Sequence, residues 1–317
     1  MTNGGSPLTV ARPCRIPTGF PRPGVTGLIG PRRRGFLVLR RSLVVFHALR
    51  AATIVASLLA PHRIVSLLPS LTEDNCALGL QRELVAVSAY SRDIPCAKGL
   101  PRVGDVRSVD NERIVALHAD LVFGLPSEAQ LVAPLRALGV RVILLPDERY
   151  EDIYLDIARI GAAAGVEQRA ARLSERLKAE VAELHARTRS FRTHPRVFVA
   201  LSVEPIWTVG PQSYIARMIE LAGGRPAVTR LPQPYALYSP ERLLALRPDA
   251  IVATRDSEIE TVLTKAPWRD LRAVRRERIL IPPNDDMLVH PSPRFIEGLR
   301  WLIQRLQPIA NRSAHSS

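Results

Sequence analysis

From Arg63 onward the chain keeps repeating one pattern: a short apolar, β-branched run, a helical stretch, then another such run. The first four runs cover residues 64–68, 84–87, 121–123 and 140–145. Strands separated by helical stretches pair in parallel, because the return path passes over a sheet face, and both faces are then covered by helices. The same alternation returns later, with strand-like residues 197–201, 250–253 and 279–281 among helical residues 214–221, 240–246 and 294–306. The pattern predicts an α/β fold of two Rossmann-like lobes with parallel sheets.

Between the two series lies a helical region. Ile153, Ile157, Ile160 and Ala164 share one face, and after Gly165 a second face is formed by Leu173, Leu177, Val181 and Leu184. The expected organisation is therefore a first lobe at 63–148, a helical linker with a long helix at 149–190, and a second lobe at 191–317. The segment from Glu112 to Val122 can be laid over the segment from Glu241 to Ile251 without a gap; both read as a short helix, a turn and a buried strand. Two related lobes on one long helix leave a cleft between them, where ligands of two-lobed proteins bind.

Residues 1–62 are different in kind: they hold nine Arg, no Asp or Glu, seven Pro and seven Gly. They read as a poorly ordered leader. Within it Arg32-Arg33-Arg34-Gly35-Phe36-Leu37 is similar to a twin-arginine export signal, and 51–60 is an apolar run containing Val55-Ala56-Ser57 as a candidate cleavage point. An uncleaved anchor or an upstream misassigned start would give the same composition. Export to the periplasm or cell envelope is the expectation, with the cytoplasm as the alternative.

The leader also accounts for most of the chain's net charge of +14, since residues 63–317 carry 35 Lys and Arg against 30 Asp and Glu in mixed-sign helices. Only three of the basic residues are Lys. No nucleic-acid partner is expected. Cys14, Cys76 and Cys96 form no CxxC and no ligand cluster with the histidines, so each reads first as a buried free thiol, with a Cys76–Cys96 disulfide open. Phosphate-loop, dinucleotide, HExxH and GxSxG motifs are all missing. Asp285, Asp286, His290 and Arg294 share one loop, but sequence places no nucleophile beside them, and the chain is not expected to be an enzyme.

Arg63-Ile64-Val65-Ser66-Leu67-Leu68-Pro69-Ser70-Leu71-Thr72-Glu73, followed by Ala77-Leu78-Gly79-Leu80, resembles the opening of substrate-binding proteins of ABC importers for vitamin B12 and ferric siderophores. Further matches follow in order: Val87-Ser88-Ala89-Tyr90-Ser91, Leu100-Pro101-Arg102-Val103-Gly104, the Glu112 segment, Ile219-Glu220-Leu221-Ala222-Gly223-Gly224, Ser239-Pro240-Glu241 and Ser292-Pro293-Arg294. Together they span about residues 63–309. The resemblance implies a helical-backbone binding protein, a monomer that holds its ligand between two lobes and hands it to an ABC permease.

It also implies roles. Glu73 and Glu241 are expected to meet arginines of the permease from the exposed face of each lobe. Read locally, Ser70 and Glu73 fit a capping box, and Ser239-Pro240-Glu241 fits a capped helix start. For the ligand the resemblance points to Tyr90, Trp207, Tyr235, Asp286, His290 and Arg294, with Arg294 equally readable as a brace for its own helix. Trp268 and Trp301 read as core. Asp74-Asn75-Cys76 and Met287 depart from the family pattern. The Ser292-Pro293-Arg294 ending leans toward cobalamin or a related corrinoid as ligand. A ferric siderophore or haem comes second, and a bare metal ion third, because no metal-ligand spacing is visible. No cofactor is expected.

Overall fold

The computed structural model describes residues 61–312; the expected export signal, its cleavage point and Cys14 lie outside the described residues. The first lobe contains β1 (Ile64–Ser66), β2 (Leu84–Val87), the short antiparallel pair β3 (Gly104–Asp105) and β4 (Ser108–Val109), β5 (Leu121–Gly124) and β6 (Arg141–Leu144). The main sheet runs β2-β1-β5-β6, all parallel. The second lobe contains β7 (Arg196–Ala200), β8 (Ser202–Val203), β9 (Ile206–Val209), β10 (Arg225–Pro226), β11 (Tyr235–Leu237), β12 (Ala250–Ala253) and β13 (Ile279–Leu280). Its parallel sheet runs β10-β7-β12-β13. The central strands are buried on both faces, which is why they read as unbroken apolar runs.

The two sheets have matching order, so the repeat seen in sequence is a repeat of structure. Helices Asn111–Ala116 and Pro240–Leu246 each start on a side-chain cap, Asp110 accepting from the Arg113 amide and Ser239 from the Arg242 amide. Each is followed by a left-handed residue, His118 (φ 51°) and Arg247 (φ 47°), that turns the chain toward its strand. Asp120 then accepts from the backbone N–H of Arg63 at 2.9 Å, and Asp249 from that of Arg196 at 3.0 Å. Both carboxylates therefore satisfy an amide just ahead of, or at, the start of a central strand.

Helices Tyr150–Ala163 and Glu167–Arg187 join the lobes. Ile153, Ile157 and Ile160 bury one face, and Leu173, Leu177, Val181 and Leu184 bury the other, each worth roughly 1.5–3 kcal/mol. Gly165 makes the bend with φ +67°. Gly161 lets the helices cross closely, since a Cβ there would lie 2.5 Å from that of Ala170. The second helix, at 21 residues, spans roughly 30 Å. Helix Phe295–Asn311 packs on it, with Arg300 bonded to Glu180 at 3.2 Å.

Trp268 and Trp301 are buried, as the helical patterns predict. Two features differ from expectation. Cys76 and Cys96 are joined in a disulfide between helix Pro69–Ala77 and the turn Pro95–Ala97, so they are not free thiols. β11, β9 and β8 form a separate antiparallel sheet, which strands of two to four residues do not announce in sequence. Among the described residues no helix is long and apolar enough to cross a membrane.

Candidate functional site

The cleft floor is built around the turn that follows β1. Helix Pro69–Ala77 starts without a side-chain cap, because Leu68 precedes it and Pro69 occupies its first position. The capping box expected of Ser70 and Glu73 does not form. Ser70 instead donates its hydroxyl to Asp147 at 2.7 Å, and Glu73 turns toward the second lobe. Its expected exposure is also corrected: Glu73 is 4% exposed, because the second lobe covers it.

That covering comes from the segment between β13 and the last helix. Asp285 accepts from the backbone amides of Arg255 and Asp256, which ties the connection after β12 to the one after β13. Helical residues Asp286–Val289 then set Asp286 and His290 one turn apart. Ser292 donates to Glu73 Oε2 at 2.5 Å, and Arg294 Nη1 donates to Glu73 Oε1 at 2.8 Å. His290 Nδ1 stands 3.5 Å from Glu73 Oε1, while His290 Nε2 and Arg294 Nη1 lie 3.7 and 3.8 Å from the Asp286 carboxylate. Burial pushes the Glu73 carboxyl up, but His290 and the hydrogen bonds from Ser292 and Arg294 outweigh it and hold the carboxyl below its ordinary range. Arg294 also reaches Glu297 at 3.5 Å, so it braces its own helix and pins the lobes together.

The first lobe also sets several carboxyls below its surface. Burial pushes Asp147 up to about 6, Glu128 to about 7 and Asp156 to about 8. Asp74, one residue from Glu73, is fully buried with neither carboxylate oxygen hydrogen-bonded, and burial beside Asp156 and Glu73 raises it well above the carboxylate range. Tyr214 and Tyr235 are raised in the same way, Tyr214 by burial and by Tyr235 and Asp147, Tyr235 by burial and by Asp147 and Glu148. Glu128 and Asp156 therefore hold a proton at mildly acidic pH, where an ordinary carboxyl has lost it.

The aromatic residues occupy other parts of the site. Tyr90, in the connection that leaves the C-terminal end of β2, is 57% exposed. Trp207 lies on β9 beside Leu237 of β11, and the two are 39% and 57% exposed. Tyr235, also on β11, is half-buried and pairs with Val209. Each lobe thus leaves a large aromatic side chain uncovered, Tyr90 after β2 and Trp207 on β9, while the charged trio Asp286, His290 and Arg294 gathers at Glu73.

Glu241 is exposed in the first turn of its helix. Its structural counterpart is not Glu73 but Glu112, exposed in the first turn of helix Asn111–Ala116. The gapless overlay of the two segments already contained this pairing. By contrast, nothing in the sequence signals that Glu73 meets Arg294, 221 residues away, or that Glu73, Asp286 and His290 each bring a donor atom within 4.8 Å of the others. The spacing of these three residues hides a donor set that the fold assembles.

Comparison with known proteins agrees with this architecture. The family described as periplasmic binding protein matches residues 64–285. The chain is 28% identical over 256 residues to an uncharacterized ABC transporter substrate-binding lipoprotein, YvrC, of Bacillus subtilis, covering 78% of this chain and 81% of that protein. It is 29% identical over 277 residues to the vitamin B12-binding protein of Yersinia pseudotuberculosis, covering 84% of this chain and 95% of the relative. Among solved structures it is similar to the periplasmic haem-binding protein RhuT of Roseiflexus, at 28% identity and a TM-score of 0.71, covering 79% of this chain and all of that one. It is also similar to the periplasmic vitamin B12-binding protein BtuF of Vibrio cholerae, at 26% identity and a TM-score of 0.69, covering 79% and 98%.

Proposed function

Because this chain belongs to the periplasmic binding protein family, the substrate-binding components of ABC importers, we propose that it captures cobalamin or a related corrinoid between its lobes and delivers it to an import permease. The observation that carries the choice of ligand is the pairing of exposed aromatic faces, Tyr90 on one lobe and Trp207 on the other, with the half-buried Asp147 carboxyl near His290. A corrin offers a broad apolar face to aromatic rings and a rim of neutral amides. Asp147, half-buried and raised to about 6 by burial, donates to an amide oxygen when protonated and repels the carboxylates of a haem when ionised, so either state favours the amide rim of a corrin. Haem is nonetheless the second reading, favoured by the likeness to RhuT and by the open phenol of Tyr90; a ferric siderophore is the third.

Docking on the permease is assigned to Glu112 and Glu241. They are exposed, they occupy equivalent first turns in the two lobes, and neither supports the fold, so opposite charge on a partner is met at both lobes in one register. Glu73 has no such role while it is covered by Ser292 and Arg294. Export fits the Cys76–Cys96 disulfide, a bond that persists in an oxidising compartment.

The test is a calorimetric titration of the purified protein with cyanocobalamin, haemin and a ferric hydroxamate in parallel. One-to-one binding of cyanocobalamin that weakens roughly tenfold or more in Trp207→Ala supports the corrinoid reading. Saturable binding of haemin or the hydroxamate alone moves the ligand and leaves the carrier role.

A further inference from the structure

The interlobe cluster is built from more donors than its hydrogen bonds use. Arg294 and Ser292 satisfy Glu73. His290 Nδ1 is buried and makes no hydrogen bond, and the Asp286 carboxylate meets His290 and Arg294 only at 3.7 and 3.8 Å. Those separations are ion-pair distances, too long for hydrogen bonds. Glu73 is nearly sealed from water, so it holds its position, while Asp286 and His290 lie one helical turn apart and face it together.

We propose that Glu73, Asp286 and His290 form a three-donor site for a divalent transition ion, zinc first, held between the two lobes. Two carboxylates and one imidazole suit zinc and its borderline neighbours, which take O and N donors at about 2.0–2.2 Å and keep a further position open. One donor atom from each residue already lies within 4.8 Å of the other two, so closing on an ion takes shifts of about 1 Å. Arg294 is the ion's competitor: its guanidinium occupies the Glu73 side of the cluster at 2.8 Å. It has another partner ready in Glu297, three residues on and largely in solvent. An ion that replaces Arg294 at Glu73 would keep the lobes linked by coordination bonds instead of one charged hydrogen bond, and it would satisfy the unbonded imidazole nitrogen.

The full-length protein, stripped with a chelator, is titrated with zinc chloride by calorimetry, and separately with cobalt(II) followed by visible absorption. One zinc per chain is expected, weakened at least about tenfold by His290→Ala and by Asp286→Asn, with the cobalt band lost in both. His62→Ala, which changes an exposed histidine outside the cluster, leaves the affinity unchanged. Arg294→Gln, which removes the competitor, tightens zinc at least threefold, an outcome that a plain salt-bridge network does not produce. Circular dichroism checks that each variant is folded, and where His290→Ala is not, Asp286→Asn carries the comparison. The proposal is overturned by a wild-type protein that takes no zinc, by affinity that ignores both ligand substitutions, or by weaker binding in Arg294→Gln.

Discussion

Glu73 of the first lobe and Arg294 of the second form a part-buried charged hydrogen bond of 2.8 Å, linking segments 221 residues apart. It sits where the first helix of one lobe faces the start of the last helix of the other. The long helix fixes the overall spacing of the lobes, and this pair fixes their contact. Opening the cleft therefore requires separating two charges, one of which has almost no access to water.

Removing one partner should show that cost. Arg294→Ala leaves Glu73 buried with only Ser292 and His290, and breaking a buried pair in this way costs about 3–5 kcal/mol. Arg294 is 29% exposed, so the expected loss is smaller, about 2–3 kcal/mol. The double variant Glu73→Gln, Arg294→Met should lose less than Arg294→Ala alone, because no uncompensated charge is left. Urea unfolding of the three proteins compares them directly, and a double variant less stable than the single one would contradict the account.

The architecture was legible because its signals are local. The apolar runs at 84–87 and 250–253 coincide with β2 and β12, and the spacing of Leu173, Leu177, Val181 and Leu184 gives the buried face of the long helix. The site was harder to read for two physical reasons. Glu73 looks like a helix-start carboxylate within its own four residues, and only the second lobe, arriving from 219 residues further on, turns it inward. Cys76 and Cys96 have no telling spacing until the turn Pro95–Ala97 packs beside the first helix. Glu112 was in view throughout, but it needed the structural repeat to show that it, and not Glu73, matches Glu241.

Stability should fall as pH rises from 5 to 8. Asp147, Glu128 and Asp156 are held up to about 6, 7 and 8 by burial, against about 4 in an unfolded chain. Between those values the folded protein binds more protons than the unfolded one, so each group's contribution is complete below about pH 4 and is lost as pH passes its folded value. Asp156→Asn keeps the shape without the ionisation. It should stabilise the protein by about 1–2 kcal/mol at pH 8 and change little at pH 5. Thermal unfolding across this range checks both the slope and its reduction in the variant.

The disulfide closes a loop of 20 residues, which in the chain-entropy account is worth about 3 kcal/mol. Cys76→Ser with Cys96→Ser should therefore lower the unfolding temperature by several degrees, and adding a reductant should do the same to the wild-type protein only. Thiol titration of the unfolded, unreduced full chain is expected to find one reactive thiol, Cys14. Cys76 and Cys96 found as free thiols in protein recovered from an oxidising compartment would remove this bond from the argument for export.

Docking through Glu112 and Glu241 makes a prediction that ligand binding alone cannot imitate. Both carboxylates are exposed and anchor nothing, so Glu112→Lys and Glu241→Lys should leave folding and cyanocobalamin affinity unchanged. Each should weaken association with permease-bearing vesicles roughly tenfold, about 1.4 kcal/mol, through lost attraction and new like-charge contact. Because both lobes must engage in one register, the double variant should lose uptake altogether. Raising the salt concentration should weaken wild-type association and largely erase the difference between wild type and single variants, since exposed charges are screened within about 10 Å at 0.1 M. If Glu73→Gln instead abolished uptake while the two lysine variants transported normally, the permease would be reading the cleft floor rather than the two exposed helix starts.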